Sequence, residues 1–244
     1  MTITRQIKSA APRPRLWVWV GLLTLGTLAL PGCFLQEQTR AKNQRELGVA
    51  AYNVGNYEQA RIHLNNSLAV GAHDFRQNYW LGMVELAQGN PLAAQRQFEY
   101  AWTVRQDDKE WTPKILDGLA ESLYRQGRVE ALHTFLAETA TRYGTTDAYL
   151  REAEYLLQTG DPDGAQTAYQ KAARVSGQDD PAVYLAIAEF YESVNDVPNA
   201  VTSLRYAYYL DPDNKDVAQK FRQFGIVPGP TLRLPPPQPD LLDE

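Results

Sequence analysis

The sequence predicts an all-α chain, a solenoid of helix–turn–helix repeats closed by a capping helix at its C-terminal end. Three observations predict it. Short similar stretches recur: "GNYEQA" from Gly55, "GNPLAA" from Gly89 and "NDVPNA" from Asn195. Small and apolar residues accompany them at constant offsets. Alanine, leucine, glutamine and tyrosine dominate the composition, which suits helix.

Aligned on their first residue, the stretches extend to five anchors: Gly55, Gly89, Gly127, Gly160 and Asn195, spaced by 34, 38, 33 and 35 residues. Eight and seven residues before the anchors stand Leu47–Gly48, Leu81–Gly82, Leu119–Ala120 and Ile187–Ala188. Five residues after come Ala60, Ala94, Ala165 and Ala200; nine after come Leu64, Phe98, Leu136, Tyr169 and Leu204. Within a unit the apolar residues keep helical spacing, as in Tyr184, Ile187, Ala188 and Tyr191. Small residues let paired helices approach, and a larger residue from the second helix fills the next layer. Gly or Asn at the anchor tolerates a left-handed turn. No unit buries its apolar face alone, so stacking creates the core. Most of the 14 tyrosines then belong to core or groove.

This pattern resembles the tetratricopeptide repeat, a helix–turn–helix unit of about 34 residues, from roughly Ala41 to Asp211, where the last unit ends "AYYLDPDN". The resemblance implies a right-handed α–α superhelix whose first helices line a concave groove that holds a protein or peptide. The third unit departs from the pattern with Leu132 in place of the small residue, the fourth with Glu152 in place of an apolar one. Four extra residues near "KEWTPK" lengthen the connection before Ile115. "NKDVAQKFRQFG" reads as the cap: Val217, Phe221 and Phe224 share a face, Lys and Gln take the other, and Gly225 ends it.

The N-terminus carries a different signal. Arg5, Lys8, Arg13 and Arg15 precede fifteen uncharged residues, Leu16 to Leu30. That is the layout of a secretory signal and short of the about 20 apolar residues of a spanning helix. "LPGC", ending at Cys33, the one cysteine, resembles the lipobox of bacterial lipoproteins. In that family the cysteine is lipidated and the chain is cut before it. Pro31 departs from the usual small or hydroxylated residue. Ordinary cleavage leaving a free thiol, and an uncleaved anchor, are the alternatives. Two or more acyl chains hold a protein on a membrane stably where one does not. Phe34 rather than Asp after the cysteine leans towards the outer membrane, facing the periplasm.

The expected domains are therefore 1–32, a lipoprotein signal peptide; 33–40, a lipidated linker; 41–226, five repeats and the cap helix; and 227–244, a tail. The tail holds six prolines from Pro228 to Pro239 and reads as disordered, with a docking role as the other reading. Without the four basic residues of the signal, 20 Lys+Arg face 29 Asp+Glu, so the formal charge moves from −5 to −9. No basic stripe remains, which argues against nucleic acid.

No chemistry is legible. His63, His73 and His133 form no close-spaced metal pair, and no His-Glu-x-x-His, phosphate loop or nucleophile elbow exists in the mature chain. "DPDG" at Asp161 and "DPDNKD" at Asp211 lack the ligand spacing of a calcium loop and suit turns and caps. No catalytic residue, cofactor or metal is expected. The leading reading is a membrane-tethered scaffold or adaptor in envelope assembly, anchored through its N-terminal lipid and holding a protein or peptide client. Its layout is similar to that of outer-membrane tetratricopeptide lipoproteins, so a pilotin-like assembly factor for a pilus or secretion machine is the alternative. An enzyme with a cryptic groove site needs a convergent acid, base or nucleophile set, and no repeat pair supplies one.

The groove can be read from offsets. Six residues before each anchor stand Val49, Met83, Glu121, Glu154 and Glu189; ten before, Arg45, Tyr79 and Asp117; three before, Tyr52 and Tyr124. Glu192 follows Glu189 by a turn. Equivalent positions fall on equivalent spots of stacked helices, so the glutamates form a ladder. The first half reads aromatic and mildly basic, the second acidic, and a client with a basic stretch suits it. A solvated helix face without a ligand is the other reading, since Glu forms surface helix readily. The carboxylate clamp of chaperone-binding relatives needs paired Lys and Asn, and Arg45, Val49 and Trp80 do not supply it.

Overall fold

The computed structural model describes residues 30–70, 74–105, 107–177 and 179–237, with side chains from residue 36 onward. Among them are eleven α-helices and no strand: α1 Leu30–Asn53, α2 Tyr57–Ala69, α3 Phe75–Ala87, α4 Pro91–Val104, α5 Trp111–Arg125, α6 Val129–Tyr143, α7 Thr146–Gln158, α8 Pro162–Val175, α9 Pro181–Ser193, α10 Val197–Leu210 and α11 Lys215–Gln223. Ten helices pair as five helix–turn–helix units and α11 follows, as the anchors predict. The segment 33–40, read as a linker, is helical as part of α1. No described helix is long and apolar enough to cross a membrane; the apolar run 16–29 lies outside the described residues, as do the side chain of Cys33 and all of His73.

Each anchor ends a first helix in the same way. Gly55, Gly89, Gly127 and Gly160 have φ of 76°, 77°, 67° and 87°, and Asn195, at 60°, is the one non-glycine with positive φ among the described residues. The residue after each anchor bonds back five positions, from Asn56 N to Ala51 O (2.9 Å) through to Asp196 N to Tyr191 O (2.8 Å). This closes the orphan carbonyls of the helix end. That same residue caps the second helix in three units: Asn56, Asp161 and Asp196 accept from the N–H groups of Gln59, Gly164 and Asn199. Asp161 of "DPDG" is thus a helix cap. A left-handed L-residue costs about 1–2 kcal/mol relative to glycine, and Asn lowers that cost with its short polar side chain. Asn195→Ala should therefore destabilise the chain by about 1 kcal/mol in urea titration while Asn195→Gly does not. Equal midpoints for the two would refute this.

The described residues divide into two compact units between Gln77 and Asn78, inside α3. In the first, α2 folds back on α1 with Ala41, Ala60 and Leu64 fully buried. A Cβ at Gly48 would stand 2.7 Å from Leu64 Cγ, so glycine sets the spacing of the two helices. Ser67 Oγ donates to Ala41 O at 2.5 Å and accepts from Gln77 Nε2 at 2.6 Å. Leu47, in contrast, is 49 % exposed, although Leu81, Leu119 and Ile187 at the same offset are buried. No repeat precedes the first among the described residues to cover it.

In the second unit the five-after and nine-after residues form the core: Ala94, Leu132, Ala165 and Ala200 are fully buried, with Phe98, Leu136, Tyr169 and Leu204. α5 and α6 approach each other less closely than the helices of the first, fourth and fifth repeats do. Glu152 stays half-buried on α7; burial pushes its carboxyl up and the charge of Lys171 opposes that shift.

α5 takes two of the inserted residues, running 15 residues where α3, α7 and α9 run 13, so "WTPK" already belongs to it. Asp108 Oδ1 accepts from the N–H groups of Glu110 (3.0 Å) and Trp111 (3.1 Å) and starts that helix. At the far end Val217 and Phe221 of α11 are fully buried. The proline-rich segment does not leave the fold at once. Ile226 and Leu232 pack on the core of the last two repeats and cap, and Pro230–Leu232 forms a 3-10 turn. Leu232 O accepts from Arg205 Nε (3.0 Å), while Leu234 N donates to Arg205 O (3.4 Å). The expectation of a wholly disordered tail is thus corrected for 227–234; apolar side chains set between the prolines supply the contact, and 238–244 lie outside the described residues.

Candidate functional site

In the first unit, Arg45 on α1 forms an ion pair with Asp74, which also accepts from Arg76 Nε at 2.8 Å. Burial pushes the Asp74 carboxyl up, but the hydrogen bonds from Arg76 and the charges of Arg45 and Arg76 outweigh it and hold the group below the usual carboxylate range. The basic character expected at Arg45 is therefore neutralised within its own unit. Tyr52 packs its ring on Tyr57, centroids 5.6 Å apart, and Val49 is half-buried.

The second unit holds the other offset residues. Tyr79 on α3 meets the rings of Trp80, Phe98 and Trp111 at 5.4, 5.8 and 5.3 Å, and Lys114 Nζ lies 4.7 Å from the Trp111 ring centroid. Met83 is half-buried on the same helix. Glu121 on α5 pairs with Arg125 one turn on and accepts from Tyr155 Oη at 2.9 Å; Tyr124 packs its ring on Tyr155 at 5.6 Å. Glu189 and Glu192 on α9 both face the cap: Lys220 Nζ donates to Glu192 at 2.7 Å and lies 3.4 Å from Glu189. The hydrogen bond from Lys220 to Glu192 raises the ammonium pKa against the opposing effect of burial.

Glu154, between them on α7, is exposed and makes no hydrogen bond or ion pair among the described residues. Burial of the carboxyl atoms pushes its pKa up first, Asp117 and Glu189 push it further, and Arg151 opposes. Tyr169, below it on α8, is pushed up to about 12 by burial and by the charges of Glu154 and Glu189. Asp117, Glu154 and Glu189, from the first helices of three successive repeats, are thus within electrostatic reach in one stripe.

Three partners of this stripe escaped the sequence. Arg151, 7 % exposed, pairs with Asp117 and donates Nη2 to Pro113 O at 3.3 Å. Tyr155 holds Glu121. Lys220, assigned to the polar face of the cap, turns towards α9. A faint signal existed for the first two, since Asp117–Arg151 and Glu121–Tyr155 are each 34 residues apart, one repeat period. The described histidines make single contacts, His63 Nδ1 with Gln44 Oε1 (3.0 Å) and His133 Nε2 with Thr159 Oγ1 (2.7 Å). No group of three metal-binding side chains occurs among the described residues.

A family model described as "Tetratricopeptide repeat" matches residues 45–110 and 150–215. The chain belongs to the tetratricopeptide repeat family. The match passes over residues 111–149, which hold most of the third repeat with Leu132. Solved tetratricopeptide structures share the fold. PilF of Pseudomonas aeruginosa is 19 % identical with a TM-score of 0.54, over 78 % of this chain and 86 % of that one. A thermophilic TPR protein of Thermus thermophilus is 21 % identical with a TM-score of 0.52, over 75 % and 97 %. MamA of Desulfovibrio magneticus is 14 % identical with a TM-score of 0.52, over 72 % and 97 %. At these identities the likeness speaks for the fold alone. No curated protein matches the sequence.

Proposed function

We propose that this tetratricopeptide protein is a membrane-tethered scaffold or adaptor of the bacterial envelope, holding a client peptide with a basic segment along the acidic stripe of its third to fifth repeats. Tetratricopeptide proteins are generally protein-interaction scaffolds rather than enzymes. The observation that carries the reading is Glu154. Its neighbours in the stripe already have donors within the chain: Arg125 and Tyr155 on Glu121, Lys220 on Glu189 and Glu192. A wall of one charge sign steers an opposite charge and gains from it in a partly desolvated groove. A client lysine or arginine supplies what Glu154 lacks, and Lys220 shows the kind of group this stripe accepts.

The test is a positional-scanning octapeptide library bound to the full-length chain in detergent micelles. Lys or Arg should be selected, with binding that weakens as salt rises, and Glu154→Lys should abolish that selection. Burial and two like charges disfavour an ionised Glu154, so removing its charge does not threaten the fold, and a thermal melt verifies this. Selection of acidic residues, or a basic preference that survives Glu154→Lys, would overturn the reading.

The tether rests on the apolar run ending in "LPGC". Mass spectrometry of the purified protein should find residues 1–32 gone and acyl chains on Cys33, in a chain fractionating with the outer membrane. An intact Met1, or unchanged membrane partition of Cys33→Ser, excludes lipid anchoring.

A further inference from the structure

We infer that the cleft between the N-terminal ends of α5 and α7 is an anchor pocket for one apolar side chain of the client peptide, two residues before the basic residue that pairs with Glu154. The inference rests on the groove reading above and adds a site to it.

The cleft opens beside the lengthened third repeat. Where the anchors run 34, 33 and 35 residues apart, the step from Gly89 to Gly127 takes 38. Asp107, Asp108 and Lys109 of the connection before α5 stand as a wall in front of the first turns of α5 and α7. Pro113, Leu116, Tyr143 and Ala148 line the remaining sides, and the lining is mainly apolar. Its volume is about 410 Å³, in the range of ligand pockets, roughly 300–1,000 Å³, and room for a single leucine or phenylalanine side chain.

Charge at the rim selects against an ion in the cleft. Asp107 and Asp108 lie near Arg142 and Arg105, at 3.9 and 3.8 Å, and Lys109 and Asp147 also line the cleft. The signs balance, so the cleft has no net pull on a charged group. Arg151 is more than nine-tenths buried and lines it. Nε and Nη2 are used by Asp117 and Pro113, while Nη1 has no hydrogen-bond partner among the described residues. A donor that an entering ligand shuts off from water is costly unless it is paired, and the carbonyl of an extended peptide in the cleft pairs it. An apolar side chain attached to a hydrogen-bonding backbone is what this combination takes.

Register follows from the helix. Glu154 lies three residues beyond Arg151 on α7, about 4.5 Å along the axis. An extended peptide advances about 3.3 Å per residue, so two residues reach from the cleft to Glu154 with allowance for the sideways offset.

The experiment uses the same octapeptide library and full-length chain, now read for residue preference at each position relative to the basic one. Leu, Ile, Met or Phe should be selected two positions before the Lys or Arg. Asp147→Trp, an indole on an exposed rim position, should weaken the best peptide about tenfold and erase the apolar preference while keeping the basic one. Lys109→Trp, on the opposite rim, should act alike, which guards against a local fault of either variant. Glu154→Lys should do the reverse. If the basic selection stands but the apolar preference is missing, or survives both tryptophan variants, the pocket is refuted and the groove reading is untouched. If the wild-type chain selects no basic residue, both fall.

Discussion

Phe98→Ala is expected to cost about 3–5 kcal/mol, the largest loss from any single truncation in the second and third repeats. The ring is fully buried on α4 and held between two glycines of different repeats. A Cβ on Gly82 of α3 would come within 2.7 Å of its Cζ, and a Cβ on Gly118 of α5 within 2.5 Å. Tyr79 closes a third side edge-on at 5.8 Å. Nothing nearby can collapse into the space, because the glycines have no side chain to move and the helices are fixed by their other contacts. The converse change, Gly118→Ala, forces one methyl into an occupied volume and should cost about 1–3 kcal/mol. The double variant is the sharper measurement. The new methyl then enters the space the ring has left, so the combined loss should fall short of the sum of the two. Urea titration of the three variants decides it. Additive losses, or a Phe98→Ala loss below about 1 kcal/mol, would mean the ring is not the wedge described.

Phe221→Ala in the cap should cost a comparable amount, about 3–5 kcal/mol, but spend it locally. Phe221 is fully buried and meets Tyr208 edge-on at 5.7 Å, with Val217 buried one turn before. Repeats couple mainly to their neighbours. Amide exchange should therefore quicken in α9, α10 and α11 and leave α4 and α5 near their wild-type protection. Deleting Asp213–Gly225 goes further. It bares the apolar face of α10, unseats Ile226 and Leu232, and frees Glu189 and Glu192 from Lys220. Aggregation should follow, since an end repeat needs a polar outer face. A cap deletion that stays monomeric, or exchange that quickens uniformly, contradicts the assignment of α11 as the cap.

Much of this was legible from residue spacing. The five anchors are all left-handed turns, and the residues five and nine positions after them are the buried ones in every repeat of the second unit. Leu132 and Glu152 stood out as departures before any packing was known. Less was legible at Gly118, which lies two positions from the expected small residue and owes its role to a ring of the preceding repeat. The cleft was not legible, because the anchors count the length of the insertion but not its path.

By itself, the sequence determined the repeat: which residues turn, which are buried, and which offsets share a face. These follow from the period of a helix and from steric limits at each residue, so a one-dimensional pattern carries them. Only the tertiary structure decided the charges. Arg45 is spent on Asp74, Arg151 on Asp117, and Lys220 on Glu189 and Glu192, while Glu154 keeps its carboxylate unpaired among the described residues. A period places an acid and a base within reach of each other. Which of them meet depends on the direction of long side chains across neighbouring helices, and burial then sets how much the meeting is worth.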